Sequence, residues 1–164
     1  SISEIRSSFV TVFFILVSEI GTWCAIFFAI FWSLLAKKRH LTFLFSLVIS
    51  LLGAQFLYFA LKDLFNRPRP SFPHLIHYSG YSFPSGHSTI AIVFYCIIIF
   101  FLYKNKPVSK HISKVICVLV SAIIFLIGIS RIYLGVHYFS DVAGGYLTGF
   151  IWLMALYLLT TRKW

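Results

Sequence analysis

Two side chains four residues apart, His137 and Asp141, are of the types that carry out nucleophilic chemistry. On a helix this spacing puts both side chains on one face. A carboxylate that accepts a hydrogen bond from one ring nitrogen orients an imidazole, whose other nitrogen can then attack an electrophile. Arg131, six residues earlier, adds a donor for an anion. Taken alone, the pair could equally hold a helix terminus.

A second group of chemically competent residues is the tetrapeptide Pro84-Ser85-Gly86-His87, which is typical of a helix start. Proline is favoured in the first helical turn, and Gly86 leaves the backbone open to close approach. Free N–H groups and the helix dipole then bind anions, and the Ser85 hydroxyl adds a donor. His87 would lie beside such an anion with a pKa suited to proton transfer. In isolation the tetrapeptide could also be an ordinary cap.

A third group lies in residues 62–70, which contain three cations and two prolines. Each proline disfavours helix at the residue before it, so the preceding helix is predicted to end near Asn66. Lys62 and Arg69 can then approach one phosphate from different directions, and the guanidinium fork suits phosphate geometry. The alternative is that these cations reach lipid headgroups.

The elements that must position these groups are indicated by composition. Of the 164 residues, 60% are hydrophobic and 11% are charged, whereas a soluble domain has about a quarter charged residues. The surface of this chain is therefore predicted to face lipid. The formal net charge of +10 does not indicate a nucleic-acid partner, because the basic residues fall in short gaps between apolar runs.

Five apolar segments approach the roughly 20 residues that a membrane helix needs. The predicted fold class is all-α, a polytopic transmembrane helical bundle forming one domain over residues 1–164. Glycines in the last span are interpreted as helix-packing positions. The five predicted spans are Ile20 to Ala36, Leu41 to Leu61, Ser88 to Tyr103, Val115 to Ser130 and Val142 to Thr161.

The stretch from Ser7 to Ser18 is apolar but too short to span, and Glu19 and Gly21 separate it from the first span. It is predicted to form an N-terminal interfacial helix or a helix bent against the bundle. The alternative is one long tilted helix that carries Glu19 inside.

Basic residues in 37–40, 104–114 and 162–163 all fall on one side if five spans are correct. The positive-inside rule makes that side the cytoplasm. The three chemical groups then share the opposite, extracytoplasmic face.

The three groups together resemble the signature motifs of the type 2 phosphatidic acid phosphatase (PAP2) superfamily. Lys62 is followed by six residues and Arg69-Pro70; PSGH occupies residues 84–87; and Ser130-Arg131 is followed by His137 and Asp141 at the matching spacing. The resemblance implies a helical bundle and a phosphohistidine intermediate.

It also implies a role for each matched residue. His137 attacks the phosphate, Asp141 orients it and His87 protonates the leaving group. The implied phosphate-binding residues are Lys62, Arg69, Ser85, Gly86 and Arg131. Arg67 is not part of the motif and its role stays open. No cofactor and no metal are implied.

The chain is similar to bacterial phosphatidylglycerophosphate and undecaprenyl pyrophosphate phosphatases, which usually have six spans. A first span would then precede Ser1. The expected protein is a hydrolase of a lipid phosphate or pyrophosphate in a bacterial cytoplasmic membrane, with its site on the extracytoplasmic side. Its expected partners are the lipid substrate and membrane lipids, with no nucleic acid and no protein partner implied.

Four alternatives remain open on the sequence. The same phosphohistidine could pass its phosphate to a lipid or sugar acceptor, and a vanadate-dependent haloperoxidase would use a similar anion pocket. The pocket could serve lipid binding or transport without catalysis. A metal hydrolase would use ligands from His74, His77, His87 and Asp141.

Overall fold

The computed structural model describes residues 8–24, 26–27, 30–31, 41–71, 74–105 and 109–161, and all regular structure within these ranges is helical. Helix α3 lies at the centre of the bundle and packs against α5, α2 and α4, while α1 packs against α4. The helices are α1 (Ser8–Glu19), continued by a π-helical segment (Ile20–Cys24), α2 (Leu41–Phe65), α3 (Gly86–Asn105), α4 (Lys110–Tyr133) and α5 (Phe139–Thr161).

Three helices are long and apolar enough to cross a membrane, over Phe43–Phe65, Lys110–Tyr133 and Phe139–Leu159. Their outer faces expose large apolar side chains such as Phe56 and Phe125, as expected for helices that contact lipid. The chain is therefore an integral membrane protein. The apolar part of α3 is shorter, at Gly86–Phe101. The total of five spans stays a prediction.

Several predicted features lie outside the described residues. Part of the proposed first span, Ile20 to Ala36, is among them, as are the basic residues at 37–40 and 162–163. Lys110 and Lys114 are described, at the start of α4. They lie roughly 30 Å along that helix from Arg131, as the rise of about 1.5 Å per residue requires.

Helix α1 ends at Glu19, which is where the sequence places the separation from the first predicted span. The chain continues there directly into the π-helical segment, so the helix changes form at Glu19 and Gly21 without opening into a loop. Gly21 lies against Ile127 of α4. The packing of α1 on α4 agrees with a helix bent against the bundle, and a location in the membrane interface stays a prediction.

The ends of α2 and α4 are set by residues in the left-handed backbone region. Asn66 has φ of 47° and donates its N–H to the Lys62 carbonyl at 2.9 Å. Asparagine tolerates this conformation, which ends a helix. The predicted end of α2 near Asn66 is confirmed. Gly135 has φ of 79° and follows the end of α4. Both ends open onto the same cluster of loops.

Close packing of α5 on α3 depends on two glycines. A Cβ atom at Gly145 would lie 2.6 Å from the Ser85 carbonyl oxygen, and one at Gly149 would lie 2.8 Å from the Thr89 carbonyl oxygen. Both distances are too short for a side chain, so the two backbones approach only because these residues are glycine. This contact sets the position of the N-terminus of α3 against α5.

Candidate active site

The three chemical groups meet at one end of the bundle, where α2 and α4 end and α3 and α5 begin. The Ser85 N–H donates to the Asp141 carbonyl at 2.9 Å, which joins the start of α3 to the start of α5. Arg69 donates from Nη1 to the Val136 carbonyl at 2.9 Å, which joins the loop after α2 to the loop after α4. The predicted convergence of the groups is thus present in the structure.

His137 and Asp141 lie together at the start of α5, both buried. Nδ1 of His137 is 3.5 Å from Oδ2 of Asp141, which is longer than a strong charge-assisted hydrogen bond. The same carboxylate accepts the Tyr138 N–H at 2.8 Å, as acidic residues do in the first turn of a helix. Asp141 therefore lies beside the imidazole and also caps α5, so the two sequence-based interpretations are compatible.

The electrostatics of the site keep His137 neutral. Burial lowers the pKa of His137 to about 4, the Asp141 carboxylate opposes this shift, and the positive charges of Arg69, Arg131 and Lys62 add to it. At neutral pH the imidazole thus carries a lone pair on the nitrogen that does not face Asp141. That state is the one a nucleophile requires.

Arg131 is fully buried on the last turn of α4. Its Nη1 donates to the Ser18 hydroxyl at 2.8 Å and lies 3.5 Å from Oε1 of Glu19. Within the part of the chain that the structure describes, its Nε and Nη2 have no hydrogen-bond partner. Burying a guanidinium with unpaired N–H groups is unfavourable unless an anion accepts them. Arg131 therefore presents two donors to a ligand.

Lys62 and Arg69 are half-buried and are held by carbonyls of the loop between α2 and α3. Nζ of Lys62 donates to the Tyr81 carbonyl at 2.5 Å. Arg69 donates from Nε to Gly80 and from Nη2 to Ser79, each at 3.0 Å. Both cations therefore organise the loop, and their remaining N–H groups stay available to a phosphate.

The start of α3 has the predicted form of a capped N-terminus. The Ser85 side chain caps α3, since its Oγ accepts from the Ser88 hydroxyl at 3.0 Å and lies 3.5 Å from the Ser88 backbone nitrogen. Gly86 packs on the Tyr58 ring, where a Cβ atom would lie 3.2 Å from ring carbons. Ser85 is thus occupied by helix capping, and the Gly86 position is one where a larger residue would press on α2.

His87 occupies the same pocket from the α3 side and is nearly buried. Its Nε2 lies 3.3 Å from Oε1 of Glu19 but has no hydrogen-bond partner among the described residues, so the contact becomes an ion pair when the imidazole is protonated. The imidazole packs edge-on against Trp23, with ring centroids 5.8 Å apart, and against Tyr78, at 6.0 Å. The positive charges of Arg69 and Arg131 bear on both His87 and His137, the acid and nucleophile predicted from the sequence.

Three residues at the site were missed or left unassigned by sequence reasoning. The Tyr78 ring lies under the guanidinium of Arg131, with 4.7 Å from Cζ to the ring centroid, and near that of Arg69, at 5.4 Å. Arg67 binds Asp141, and Glu19 binds His87. The only sequence signal was a lone acid in an apolar stretch for Glu19.

The four-residue metal-ligand alternative is not assembled. His74 contacts the Pro70 carbonyl through Nε2 at 2.8 Å, and His77 is exposed. His87 and Asp141 are paired as described above. No group of three or more His, Cys, Asp or Glu side chains suited to a metal occurs among residues the structure describes.

Fold and site together define an integral membrane helical bundle with a cationic pocket and a His–Asp pair at one end. The sequence matches the model of the PAP2 superfamily over residues 43–164, which is most of the chain. The protein belongs to the PAP2 superfamily.

Similar proteins include phosphatidylglycerophosphatase B of Bacillus subtilis, which is 47% identical over 92 residues. That alignment covers 56% of this chain and 45% of the relative, so the chain spans less than half of that protein. A crystal structure of a transmembrane PAP2 type phosphatidylglycerolphosphate phosphatase from Bacillus subtilis matches with a TM-score of 0.81 and 29% identity, covering 96% of this chain and 80% of that one. Aquifex aeolicus LpxE matches with a TM-score of 0.70 and 27% identity, covering 94% and 90%.

Proposed function

We propose that this protein hydrolyses the phosphate ester or anhydride of a membrane lipid through a phosphohistidine formed on His137. The observation that carries the proposal is a buried imidazole, His137, beside the Asp141 carboxylate, together with a buried guanidinium that has two unused donors. A phosphoryl group needs a nucleophile in line with the leaving oxygen and positive charge on its other oxygens. Arg131, Lys62 and Arg69 supply that charge.

In the first step, the ring nitrogen of His137 that faces away from Asp141 attacks phosphorus. The bond from phosphorus to the lipid oxygen breaks, and the leaving oxygen takes a proton from the imidazolium of His87. Asp141 stabilises the positive charge that forms on His137. The products are the lipid alcohol, or a lipid monophosphate from a pyrophosphate, and a phosphoenzyme.

In the second step, water attacks the phosphorus of the phosphohistidine and the bond from phosphorus to nitrogen breaks. The neutral His87 left by the first step accepts the proton of the water, which restores its imidazolium. Inorganic phosphate leaves the cationic pocket and His137 returns to its neutral form. The same two residues therefore serve both half-reactions.

The substrate is proposed to be a lipid because the pocket lies at the ends of apolar helices, where a headgroup and an acyl tail meet the bundle. The names of the Bacillus subtilis relative and structural neighbour, both phosphatidylglycerophosphate phosphatases, support this class. Positive charge at the opposite end, including Lys110 and Lys114, supports an extracytoplasmic site in a bacterial inner membrane.

The test is to trap the intermediate. Purified protein in detergent is mixed with phosphatidylglycerophosphate carrying a labelled phosphate and quenched within milliseconds. Label that stays on the protein in alkali and is lost in acid is expected for wild type and absent for His137→Ala. Phosphate release should persist in EDTA. Turnover by His137→Ala near the wild-type rate, with the variant folded, would refute the proposal.

A further inference from the structure

We infer that Glu19 is a positioning residue for the reaction, whose carboxylate favours the protonated form of His87 that delivers a proton to the leaving group. This inference rests on the proposed function, since it assigns a task to His87 within that reaction. Glu19 lies on α1, outside residues 43–164 that match the family. It is therefore a feature that the family motifs of this chain do not include.

The carboxylate of Glu19 is aimed into the site by several contacts. Oε1 lies 3.3 Å from Nε2 of His87 and 3.5 Å from Nη1 of Arg131. The same oxygen accepts the Tyr78 hydroxyl at 3.2 Å and the Ser18 hydroxyl at 3.4 Å. An acid within an apolar helix is unfavourable without such partners. Four polar groups from four parts of the chain thus converge on one oxygen.

The surroundings of His87 otherwise oppose a positive charge on its ring. The imidazole is nearly buried, which disfavours its charged form. Arg131 from α4 and Arg69 from the loop after α2 both bear on it with positive charge. Tyr78, from the loop between α2 and α3, donates its hydroxyl to Glu19. Glu19 from α1 is the carboxylate that faces His87, and it offsets part of these effects, so the pKa of His87 stays below its ordinary value but higher than burial alone would leave it.

The protonated state matters because an imidazolium carries an N–H on each ring nitrogen. One N–H can face Glu19 while the other passes its proton to the leaving oxygen. Glu19 stays a carboxylate throughout, so protons balance as in the two steps above. The arrangement mirrors His137 and Asp141, where a carboxylate also supports an imidazole. Each of the two histidines of the site thus lies beside its own carboxylate.

The backbone at Glu19 departs from regular α-helix. Helix α1 ends at Glu19 and the π-helical segment begins at Ile20. Such segments often occur at functional sites, because the extra residue turns side chains that an α-helix would point elsewhere. Within this segment Trp23 packs on His87, and the Gly21 carbonyl accepts the Tyr95 hydroxyl of α3 at 2.5 Å. The π-helical segment therefore fixes α1 beside His87.

The experiment compares Glu19→Gln with wild type on two substrates that differ in their leaving group. A short-chain phosphatidic acid has an alkoxide leaving group that needs a proton, whereas an aryl phosphate releases nitrophenolate that does not. We expect the variant to lose about 100-fold in kcat on phosphatidic acid, in the range of general acid catalysis. On the aryl phosphate it should lose less than about threefold. In the pH profile of kcat on phosphatidic acid, the loss of activity at alkaline pH should begin at a lower pH in the variant than in wild type.

Equal losses on both substrates, or no loss on either, would overturn the inference. Asp63→Asn is the matched control, since it makes the same carboxylate-to-amide change at an exposed position of α2. In a His87→Ala background, Glu19→Gln should have no further effect on phosphatidic acid turnover, because the two residues act as one unit. A further loss there would contradict the assignment.

A second variant covers the case in which Glu19→Gln does not fold. Glu19→Asp keeps the charge on a shorter side chain and should show a weaker form of the same leaving-group dependence. Phosphoenzyme trapping separates the two proposals. If the aryl phosphate still forms a phosphohistidine in wild type while Glu19→Gln affects both substrates equally, the role of Glu19 is refuted and the proposed function stands.

Discussion

Nη1 of Arg67 lies 2.8 Å from Oδ1 of Asp141, across 74 residues of sequence. The same nitrogen donates to the Ser140 hydroxyl at 2.7 Å, and the guanidinium lies over the Tyr138 ring at 4.3 Å. Asp141 is fully buried, so Arg67 supplies the counter-charge for a carboxylate that also faces His137. Arg67, which the sequence left unassigned, thus fixes the carboxylate that lies beside the proposed nucleophile.

Removing this counter-charge should slow the reaction without abolishing it. In Arg67→Gln the Asp141 carboxylate loses one charge-assisted hydrogen bond and gains freedom to turn away from His137. We expect kcat to fall by about ten- to 100-fold, in line with the energy of a hydrogen bond to a charged group. KM should change little. Steady-state phosphate release measures both, and Arg67→Lys should recover part of the loss. A larger effect on KM than on kcat would indicate that Arg67 contacts the substrate instead.

Replacing the carboxylate itself should be more severe. In Asp141→Asn the side chain can still accept the Tyr138 N–H, so α5 keeps its cap. It no longer stabilises an imidazolium at His137. We expect kcat to fall by about four orders of magnitude, as for the corresponding change in a Ser-His-Asp triad. The measurement is single-turnover phosphoenzyme formation, with thermal unfolding as a check on the fold. A rate near wild type would leave the pair with a structural role alone.

The unused donors of Arg131 predict a strong effect on phosphate binding. Arg131→Gln should reduce kcat/KM by about 100- to 1,000-fold, the usual loss for one donor to transition-state charge. Inhibition by inorganic phosphate should weaken in parallel. Lys114→Gln removes a cation from the same helix at its opposite end and is the matched control. Unchanged inhibition by phosphate in the Arg131 variant would show that the guanidinium does not bind the anion.

The pH profile should reflect the neutral state of His137. Burial lowers its pKa to about 4 from an ordinary value of 6.5. Because the lowered value favours the neutral ring, protonation should inactivate the nucleophile only below about pH 4. The kcat/KM profile should therefore not lose activity at the ordinary histidine pKa. Profiles measured with two substrates whose phosphate groups ionise at different pH values distinguish ionisation of the enzyme from ionisation of the substrate. Loss of activity below about pH 6.5 with both substrates would contradict the lowered pKa of His137.

The glycine contact between α5 and α3 predicts a stability effect. In Gly145→Ala the new methyl group would press on the Ser85 carbonyl. Overpacking of this kind costs about 1 to 3 kcal/mol and displaces the backbone. We expect a lower unfolding temperature in detergent and reduced turnover, because Ser85 begins the helix that carries His87. Leu147→Ala, at an exposed position of the same helix, is the control. An unchanged unfolding temperature would mean that the helices can separate at no cost.

Much of the architecture could be predicted because it depends on short stretches of sequence. An apolar run long enough to cross a bilayer becomes a helix wherever the backbone must satisfy its own hydrogen bonds. The end of α2 was predictable for a similar reason, since Pro68 and the left-handed Asn66 act on their immediate neighbours. The boundary at Glu19 was predictable too, but the direct passage from α1 into a π-helical segment, where Gly21 packs on Ile127, was not.

The sequence by itself determined the three motifs, the helices that carry them and the end of the bundle at which they gather. Helix directions alternate from one span to the next, so motifs at successive span ends must meet. Only the tertiary structure decided which charges pair: Glu19 with His87, Arg67 with Asp141, and Tyr78 beneath Arg131. These partners come from separate elements, and no periodicity along a chain specifies which side chain of one helix faces which residue of another. That choice is made by packing, where shape and charge across several elements must be satisfied together.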